Sequence, residues 1–315
     1  MTTPARPRKR RFLRSGKQTL MSIMGEENFY RARIYANIHV EQRGKEMLFI
    51  HQMGKVGSTT ISASLRAAGV RQKMAVYQTH FLSEEGIAFR RELALEGYGG
   101  WDNLTPKGKK GHIRGQMLHD KLRHMRAHGE RCKVITLVRD PIATNVSGYF
   151  HKNEWWPEDV RQAVKDNRPD MLESLRADFA TSYPHQVPLT WFDMEIKPMF
   201  GIDVFAEPFP REKGYHVYRG DFADLLLIKL EKLNDVAGEA FSAFLDLPAF
   251  KLVRTNVAED KWYAPAYDAF KGWLELPDAY LDEQYNSAYS RHFYTPSEID
   301  TFRRKWAATR EAARP

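Results

Sequence analysis

The segment "FIHQMGKVGSTTISASL" (49–65) constrains the fold most, because it joins an apolar strand to a helix through a polar loop. Residues 47–53 predict a short strand, and 58–68 predict a helix that ends at Gly69, a common helix stop. The loop from Gly54 to Thr60 holds two glycines, one lysine and three consecutive hydroxyl residues. Backbone amides at a helix start, a lysine charge and hydroxyl donors together predict an anion site.

Further strands alternate with helices along the chain, which predicts an α/β fold with a mostly parallel central sheet flanked by helices. The strand candidates are 73–80 ("KMAVYQTH"), 132–138 ("CKVITLV"), 214–220 ("GYHVYRG") and 224–233 ("DLLLIKLEKL"). Because ligands collect beyond the carboxyl ends of such strands, we expect the Gly54–Thr60 loop, His80 and Arg139 at one sheet edge.

Local signals predict where several helices begin. Ser83 can cap the helix that follows it, and Thr295 with Glu298 forms a possible capping box around Pro296. The glycine- and lysine-rich stretch 98–112 predicts a mobile loop, followed by a helix near 115–128.

Charge and composition divide the chain into a basic tail and one domain. The 315 residues carry a net charge of +8, and the seven Lys and Arg of residues 1–17, without any acid, supply +7 of it, which leaves about +1 elsewhere. We therefore predict a disordered tail over 1–20, a lead-in over 21–44 and a single α/β domain over 45–315. Nucleic acid is not an expected partner, whereas the tail could make weak contact with an anionic membrane.

The chain lacks the signals of secretion and of membrane insertion. Its one cysteine, Cys132, excludes an internal disulfide framework and a cysteine-based zinc site. No apolar run approaches 18 residues, and the first residues lack the apolar core of a secretory signal. These features predict a cytoplasmic protein.

The loop does not follow the nucleotide-triphosphate pattern, since Val56 follows Lys55 and Phe49 stands five residues before Gly54. The order lysine, any residue, glycine, Ser/Thr, Thr after a strand instead resembles the phosphosulfate loop of sulfotransferases. "KVGSTT" is most similar to the version in heparan sulfate 2-O-sulfotransferases. The resemblance implies a P-loop NTPase-like sulfotransferase architecture. Cytosolic sulfotransferases usually have an adenine-stacking tryptophan where Thr60 stands, so the adenine must be held from elsewhere.

A second motif has Arg139 at the end of a strand and Ser147 eight residues later on the next helix. A guanidinium and a hydroxyl can together hold a phosphate monoester. The pair is similar to the 3′-phosphate motif of the same family; the alternative pairs Arg139 with Asp140 or with a helix carboxylate. The donor implied is 3′-phosphoadenosine 5′-phosphosulfate (PAPS), with no metal. The resemblance assigns Lys55 and residues Gly57, Ser58, Thr59 and Thr60 to the phosphosulfate, and it implies that Ser147 restrains Lys55.

Transfer to a neutral hydroxyl requires a general base, and His80 is the first candidate because it ends a strand on the expected edge. It resembles the strand-ending "TH" that carries the catalytic histidine of cytosolic sulfotransferases. Some relatives use a glutamate, so Glu84 and Glu85 remain alternatives. His51 is expected in the core. The remaining histidines near this region are expected on a solvated basic helix rather than in a metal site: His112, His119, His124 and His128.

The C-terminal half resembles a bacterial family of capsular polysaccharide synthesis proteins, through stretches 191–205, 225–233 and 256–271. The likeness extends over about 45–305 and implies a glycan or small molecule with a hydroxyl or amine as the acceptor. The arginine-lysine-glycine motif of cytosolic sulfotransferases is missing, and Lys271-Gly272 is a poor substitute. Most tryptophans are expected in the core, with Trp155-Trp156 as the candidate acceptor contact. A catalytically silent nucleotide-binding protein and, less favoured, a P-loop nucleotide kinase are the alternatives.

Overall fold

A computed structural model describes residues 18–151, 156–166, 168–248, 250–253, 262–274 and 276–307. A five-stranded sheet with strand order β2-β1-β3-β5-β4 lies at its centre. The strands are β1 Glu46–His51, β2 Met74–Thr79, β3 Cys132–Val138, β4 Tyr215–Arg219 and β5 Ala223–Lys229. All neighbouring pairs are parallel except β4 with β5, so the expected mostly parallel sheet is confirmed.

Helices surround the sheet and carry most of the remaining chain. They are α1 Glu26–Ala36, α2 Ser58–Ala67, α3 Val70–Lys73, α4 Glu84–Tyr98, α5 Pro106–Ala127, α6 Pro141–His151, α7 Glu158–Lys165, α8 Pro169–Ser182, α9 Val187–Trp191, α10 Lys197–Phe200, α11 Leu233–Leu245, α12 Ala264–Trp273, α13 Asp278–Tyr285, α14 Ala288–Phe293 and α15 Pro296–Ala307. A π-helical turn, Phe192–Ile196, joins α9 to α10. None of the helices in the described ranges is long and apolar enough to cross a membrane.

The sheet topology follows from the burial of its strands. β1, β3 and β5 are apolar and almost wholly buried, as expected of inner strands covered on both faces. β2 alternates buried and half-buried positions, which suits an outer strand. The next strand in sequence, β2, pairs with one edge of β1, and β3 pairs with the other edge. The sheet therefore has a topological switch point between β1 and β3, where α/β proteins bind ligands.

Two helix starts depend on hydroxyl caps. The Ser83 hydroxyl accepts the Gly86 N–H at 2.8 Å, which confirms the expected cap of α4. The Thr105 hydroxyl caps α5 in the same way, through the Gly108 N–H at 3.1 Å. The predicted loop over 98–112 is therefore wrong from Pro106 onward. Two of its glycines, Gly108 and Gly111, lie inside α5, and Gly111 permits close packing against Arg90 of α4.

Helix α6 lies between two apolar clusters. One cluster surrounds the sheet, and the other joins α6 to α8, α12, α13 and Trp306. The side chains Ile142, Val146, Tyr149 and Phe150 of α6 all belong to the second cluster. This packing fixes α6 along its length and thereby positions the turn that contains Ser147. The single domain over 45–315 stays a prediction.

A buried ion pair closes the C-terminal part of the fold. Lys229 at the end of β5 is fully buried, and its ammonium donates to both Glu298 oxygens at 2.5 and 2.7 Å. Glu298 also accepts the Thr295 N–H at 2.8 Å, and the Thr295 hydroxyl accepts the Glu298 N–H at 3.2 Å. The predicted capping box at the start of α15 is confirmed, and it is tied directly to the sheet.

We predict that Glu298→Gln lowers the free energy of unfolding by about 3 kcal/mol, because it leaves a buried ammonium without its counter-charge. Urea denaturation measures the change. Glu173→Gln is the matched control, because Glu173 pairs with Arg176 only at the surface and should cost well under about 1 kcal/mol. Adding Lys229→Met to Glu298→Gln should recover part of the lost stability. Equal effects of Glu298→Gln and Glu173→Gln would contradict this account.

Candidate functional site

The Gly54–Thr60 loop turns sharply between β1 and α2. Lys55 has φ 68°, a left-handed conformation that few non-glycine residues adopt, and Gly57 has φ 97° at the N-cap of α2. A Cβ at Gly57 would lie 2.9 Å from Leu230 Cδ1, so a side chain there would have to displace the residue after β5. Glycine thus lets the loop backbone pack directly against the sheet edge, with the first amides of α2 beyond it.

Arg139 joins this loop to the end of β3. Its Nη1 donates to the Lys55 carbonyl oxygen at 2.9 Å. The bond spans the switch point between β1 and β3, so the two predicted anion-binding motifs meet at one sheet edge. The alternative pairing of Arg139 with Asp140 is wrong among the described residues, because the Asp140 carboxylate has other partners.

The hydrogen-bond partners of Asp140 anchor the start of α6. Asp140 is almost fully buried and accepts hydrogen bonds from the Tyr285 hydroxyl at 3.0 Å and the Trp306 indole N–H at 2.9 Å. Its own N–H donates to Glu231 Oε1 at 2.8 Å, and burial raises the pKa of Glu231. Tyr289 completes the arrangement, because its hydroxyl accepts the Arg139 N–H at 3.1 Å and donates to the Arg139 carbonyl at 2.9 Å.

Ser147 and Gly148 lie on α6, and Gly148 faces the lysine loop. A Cβ at Gly148 would stand 3.9 Å from Lys55 Cγ and would overlap the Tyr183 hydroxyl. The Lys55 stem and the Tyr183 ring therefore both reach α6 where it lacks a side chain. Ser147 is partly buried one residue away, and its action together with Lys55 and Arg139 stays a prediction.

His80 follows β2 at the same edge. Its Nδ1 lies 2.7 Å from the Gln52 carbonyl oxygen. Because a carbonyl only accepts, Nδ1 carries the hydrogen, and Nε2 of the neutral ring is the basic nitrogen. Burial, reinforced by Arg90, His51 and His151, lowers the pKa of His80 to about 4, although the Gln52 hydrogen bond opposes the shift. The ring is thus neutral at pH 7, as a general base must be.

Glu195, on the π-helical turn, holds the segment that follows His80. This fully buried carboxylate accepts the Leu82 N–H at 2.8 Å, the Ser83 N–H at 3.1 Å and the Ser83 hydroxyl at 2.9 Å. It also lies 3.1 Å from His51 Nε2, so His51 is a buried, partnered residue as predicted. In addition, the Trp191 indole N–H donates to the His80 carbonyl at 3.1 Å.

Sequence reasoning identified neither Glu195 nor Tyr289, because no local pattern marks them. Glu195 gave no distinct signal, because Asp193, Lys197 and Asp203 stand in the same stretch 191–205. Glu231 lies within the stretch 224–233 that predicts a strand, two residues after the end of β5. The acid alternatives to His80 lie away from the lysine loop: Glu84 is exposed beside Arg123 and His119, and Glu85 is exposed.

The other predicted candidates are mostly structural. His112 is buried against Trp101, and His119 Nδ1 contacts the Leu82 carbonyl at 2.7 Å, so the expected solvated helix is wrong for both. His124 and His128 are exposed and stack on each other, 3.9 Å between centroids. Trp156 packs against Phe150 in the second apolar cluster and is not an open acceptor contact. Trp155 lies outside the described residues.

A separate cavity of about 300 Å³ opens behind the Leu82–Ser83 turn. Its lining includes His119, Arg123 and Met199, but not Lys55, His80 or Arg139. We base the site on the sheet edge rather than on this cavity, because the edge gathers the cationic and basic groups.

Comparison with known proteins gives one finding for the C-terminal half. Residues 179–295 are similar to the NKWYS family, described as "Putative capsular polysaccharide synthesis protein". No curated protein and no solved structure matches the chain. The matched segment contains Glu195, Glu231 and Tyr289, which position the site, whereas Lys55 and Arg139 lie before it.

We predict that Gly86→Ala disturbs the His80 segment, because its Cβ would overlap Glu195 Oε1 and push away the carboxylate that holds Leu82 and Ser83. The free energy of unfolding should fall by about 2 kcal/mol or more, as expected when buried donors lose their acceptor. Gly272→Ala is the matched control: no atom lies within 4 Å of its Cβ in α12, so this variant should be neutral or slightly stabilising. Thermal unfolding of both proteins checks the difference, and equal melting temperatures would contradict it.

Proposed function

We propose that this protein is a sulfotransferase that moves a sulfuryl group from PAPS to a hydroxyl of a saccharide. The observation that carries the proposal is the hydrogen bond from Arg139 to the Lys55 carbonyl, since it joins the two motifs that resemble the sulfotransferase phosphate sites. Similarity to a capsular polysaccharide synthesis family supports a saccharide acceptor. PAPS supplies an activated sulfuryl group, and the chain supplies binding, orientation and proton transfer.

The loop and α6 suit the donor's charges. Gly57 keeps the loop backbone close to the helix start, where the amides of α2 and the hydroxyls of Ser58, Thr59 and Thr60 would hold the phosphosulfate. Lys55 would stabilise negative charge on the departing phosphate oxygen. Arg139 and Ser147 would hold the 3′-phosphate.

Two C-terminal lysines, Lys271 and Lys305, bear on the proposed 3′-phosphate end of the site. Burial lowers the pKa of Lys305, and both Arg139 and Lys271 add to the shift while Asp140 opposes it. Lys305 is therefore within electrostatic range of Arg139 and Lys271, and Lys271 is itself paired with Asp268 at 2.7 Å. Lys305 would add positive charge where the usual C-terminal arginine-lysine-glycine motif is missing.

His80 is the proposed base at the acceptor end. The acceptor hydroxyl would give its proton to Nε2 while its oxygen forms the new S–O bond and the old S–O bond to the phosphate breaks. The hydrogen bond from Nδ1–H to the Gln52 carbonyl selects the tautomer in which Nε2 is free of hydrogen and can accept the proton. Trp191 acts on the His80 carbonyl and Glu195 acts on the backbone just after it, so both are positioning residues.

Ligand binding tests the nucleotide specificity. Adenosine 3′,5′-bisphosphate at 100 times its Kd should stabilise the fold by about 2.7 kcal/mol and raise the melting temperature by roughly 5 to 10 °C. ADP should do much less, and Arg139→Ala should remove the difference between the two. Lys55→Ala should keep the 3′-phosphate preference but lower sulfuryl transfer on the order of 100-fold. A preference for ATP with magnesium would instead favour a nucleotide kinase.

The pH dependence of transfer tests the base. Since the pKa of His80 is about 4, kcat/KM should stay level from pH 8 to pH 5 and fall only as His80 becomes protonated below that. His80→Gln should lower kcat about 100-fold or more, whereas Glu84→Gln and Glu85→Gln should change it little. An acid limb near pH 6.5, or full activity of His80→Gln, would exclude this base.

A further inference from the structure

The guanidinium of Arg90, on α4, is partly buried and packs against the backbone of α5. A Cβ at Gly111 of α5 would lie 2.5 Å from Arg90 Nη2, 3.2 Å from Nη1 and 3.3 Å from Cζ. The guanidinium therefore packs on α5 at a residue without a side chain. Glycine inside a helix is less favourable than alanine, so this close contact comes at the expense of helix stability.

The guanidinium has no counter-charge in the described part of the chain. Arg90 forms no ion pair or hydrogen bond with a described residue, unlike Lys109, which pairs with Glu26, or Arg31, which pairs with Glu27. Burial lowers the pKa of Arg90, and the nearby Arg114 lowers it further. A partly dehydrated cation beside like charge destabilises the fold unless an anion offsets it.

The position of Arg90 relates it to the acceptor end of the site. The guanidinium packs on Gly111, and one turn further along α5 a Cβ at Gly115 would lie 3.3 Å from the carbonyl oxygen of Phe81, the residue after His80. In agreement with this placement, Arg90 is among the charges that lower the pKa of His80. Arg139 follows β3, and β1 lies between β2 and β3 and separates their ends by about 10 Å. Arg90 is thus near the base and away from the proposed 3′-phosphate site.

We propose that Arg90 binds an anionic group of the acceptor, a carboxylate or a sulfate ester on the saccharide, beside the hydroxyl that His80 deprotonates. A guanidinium can bind either group through two parallel hydrogen bonds. The acceptor class is therefore an acidic saccharide rather than a neutral one. This inference rests on the proposed function for its reaction, but the charge of the bound saccharide can be measured without any turnover.

Calorimetric titration in the presence of saturating adenosine 3′,5′-bisphosphate tests the proposal. The probes are a glucuronate-containing tetrasaccharide, its carboxyl-reduced neutral counterpart and a sulfated tetrasaccharide without uronate. The wild-type protein should bind at least one anionic probe ten-fold or more tightly than the neutral one, and the tighter of the two identifies the anion. Arg90→Gln should remove that preference while the bisphosphate still binds as before.

Two control variants separate a specific site from general positive charge. Arg91→Gln removes an exposed cation from the next position of α4 and should keep the preference. Gly111→Ala should weaken it, because the new methyl group displaces the guanidinium, whereas Gly108→Ala has only ordinary contacts of 3.4 Å or more and should not. Equal binding of all probes, or equal losses in Arg90→Gln and Arg91→Gln, would overturn the proposal. If the wild-type protein does not bind adenosine 3′,5′-bisphosphate, the proposed function is wrong, whatever the role of Arg90.

Discussion

The candidate site depends on the contact between Arg139 and the Lys55 carbonyl. Parallel strands that end side by side do not by themselves bring their following loops together. Here the left-handed conformation of Lys55 leaves its carbonyl oxygen where a guanidinium from the neighbouring strand can bond it. One of the five donors of Arg139 is used in this bond. The contact thereby positions a cation at the switch point, where ligands of α/β proteins bind.

Buried carboxylates fix the segments that contain Arg139 and His80 from outside. Asp140 connects the start of α6 to Tyr285 and Trp306, and Glu195 connects the end of β2 to the π-helical turn. Each carboxylate accepts several hydrogen bonds, which offsets the cost of burying its charge. The C-terminal half, including the segment similar to the capsular polysaccharide synthesis family, thus acts as a scaffold that orients residues from the N-terminal half.

The sequence predicted those features that depend on neighbours along the chain. The apolar strands, the Ser83 cap, the Thr295–Glu298 capping box and the strand-end positions of His80 and Arg139 all follow local rules. The glycine and lysine content of 98–112 predicted a loop at the start of α5, although Thr105-Pro106 is a helix start signal. Glu195, Tyr289 and Arg90 could not be predicted, because each acquires its role only from contacts with residues far away in sequence.

The charge of Arg90 and the pKa of His80 are physically coupled. Burial is the main reason for the low pKa of His80 in the free protein, and the Arg90 guanidinium, which has no acidic partner among the described residues, lowers that pKa further. An anion bound at Arg90 would cancel that contribution and would itself favour the protonated imidazole. The basicity of His80 would then rise when an acidic acceptor binds, toward the range in which proton abstraction at neutral pH is efficient. A neutral saccharide would leave His80 unchanged, so acceptor charge would influence the chemical step as well as binding.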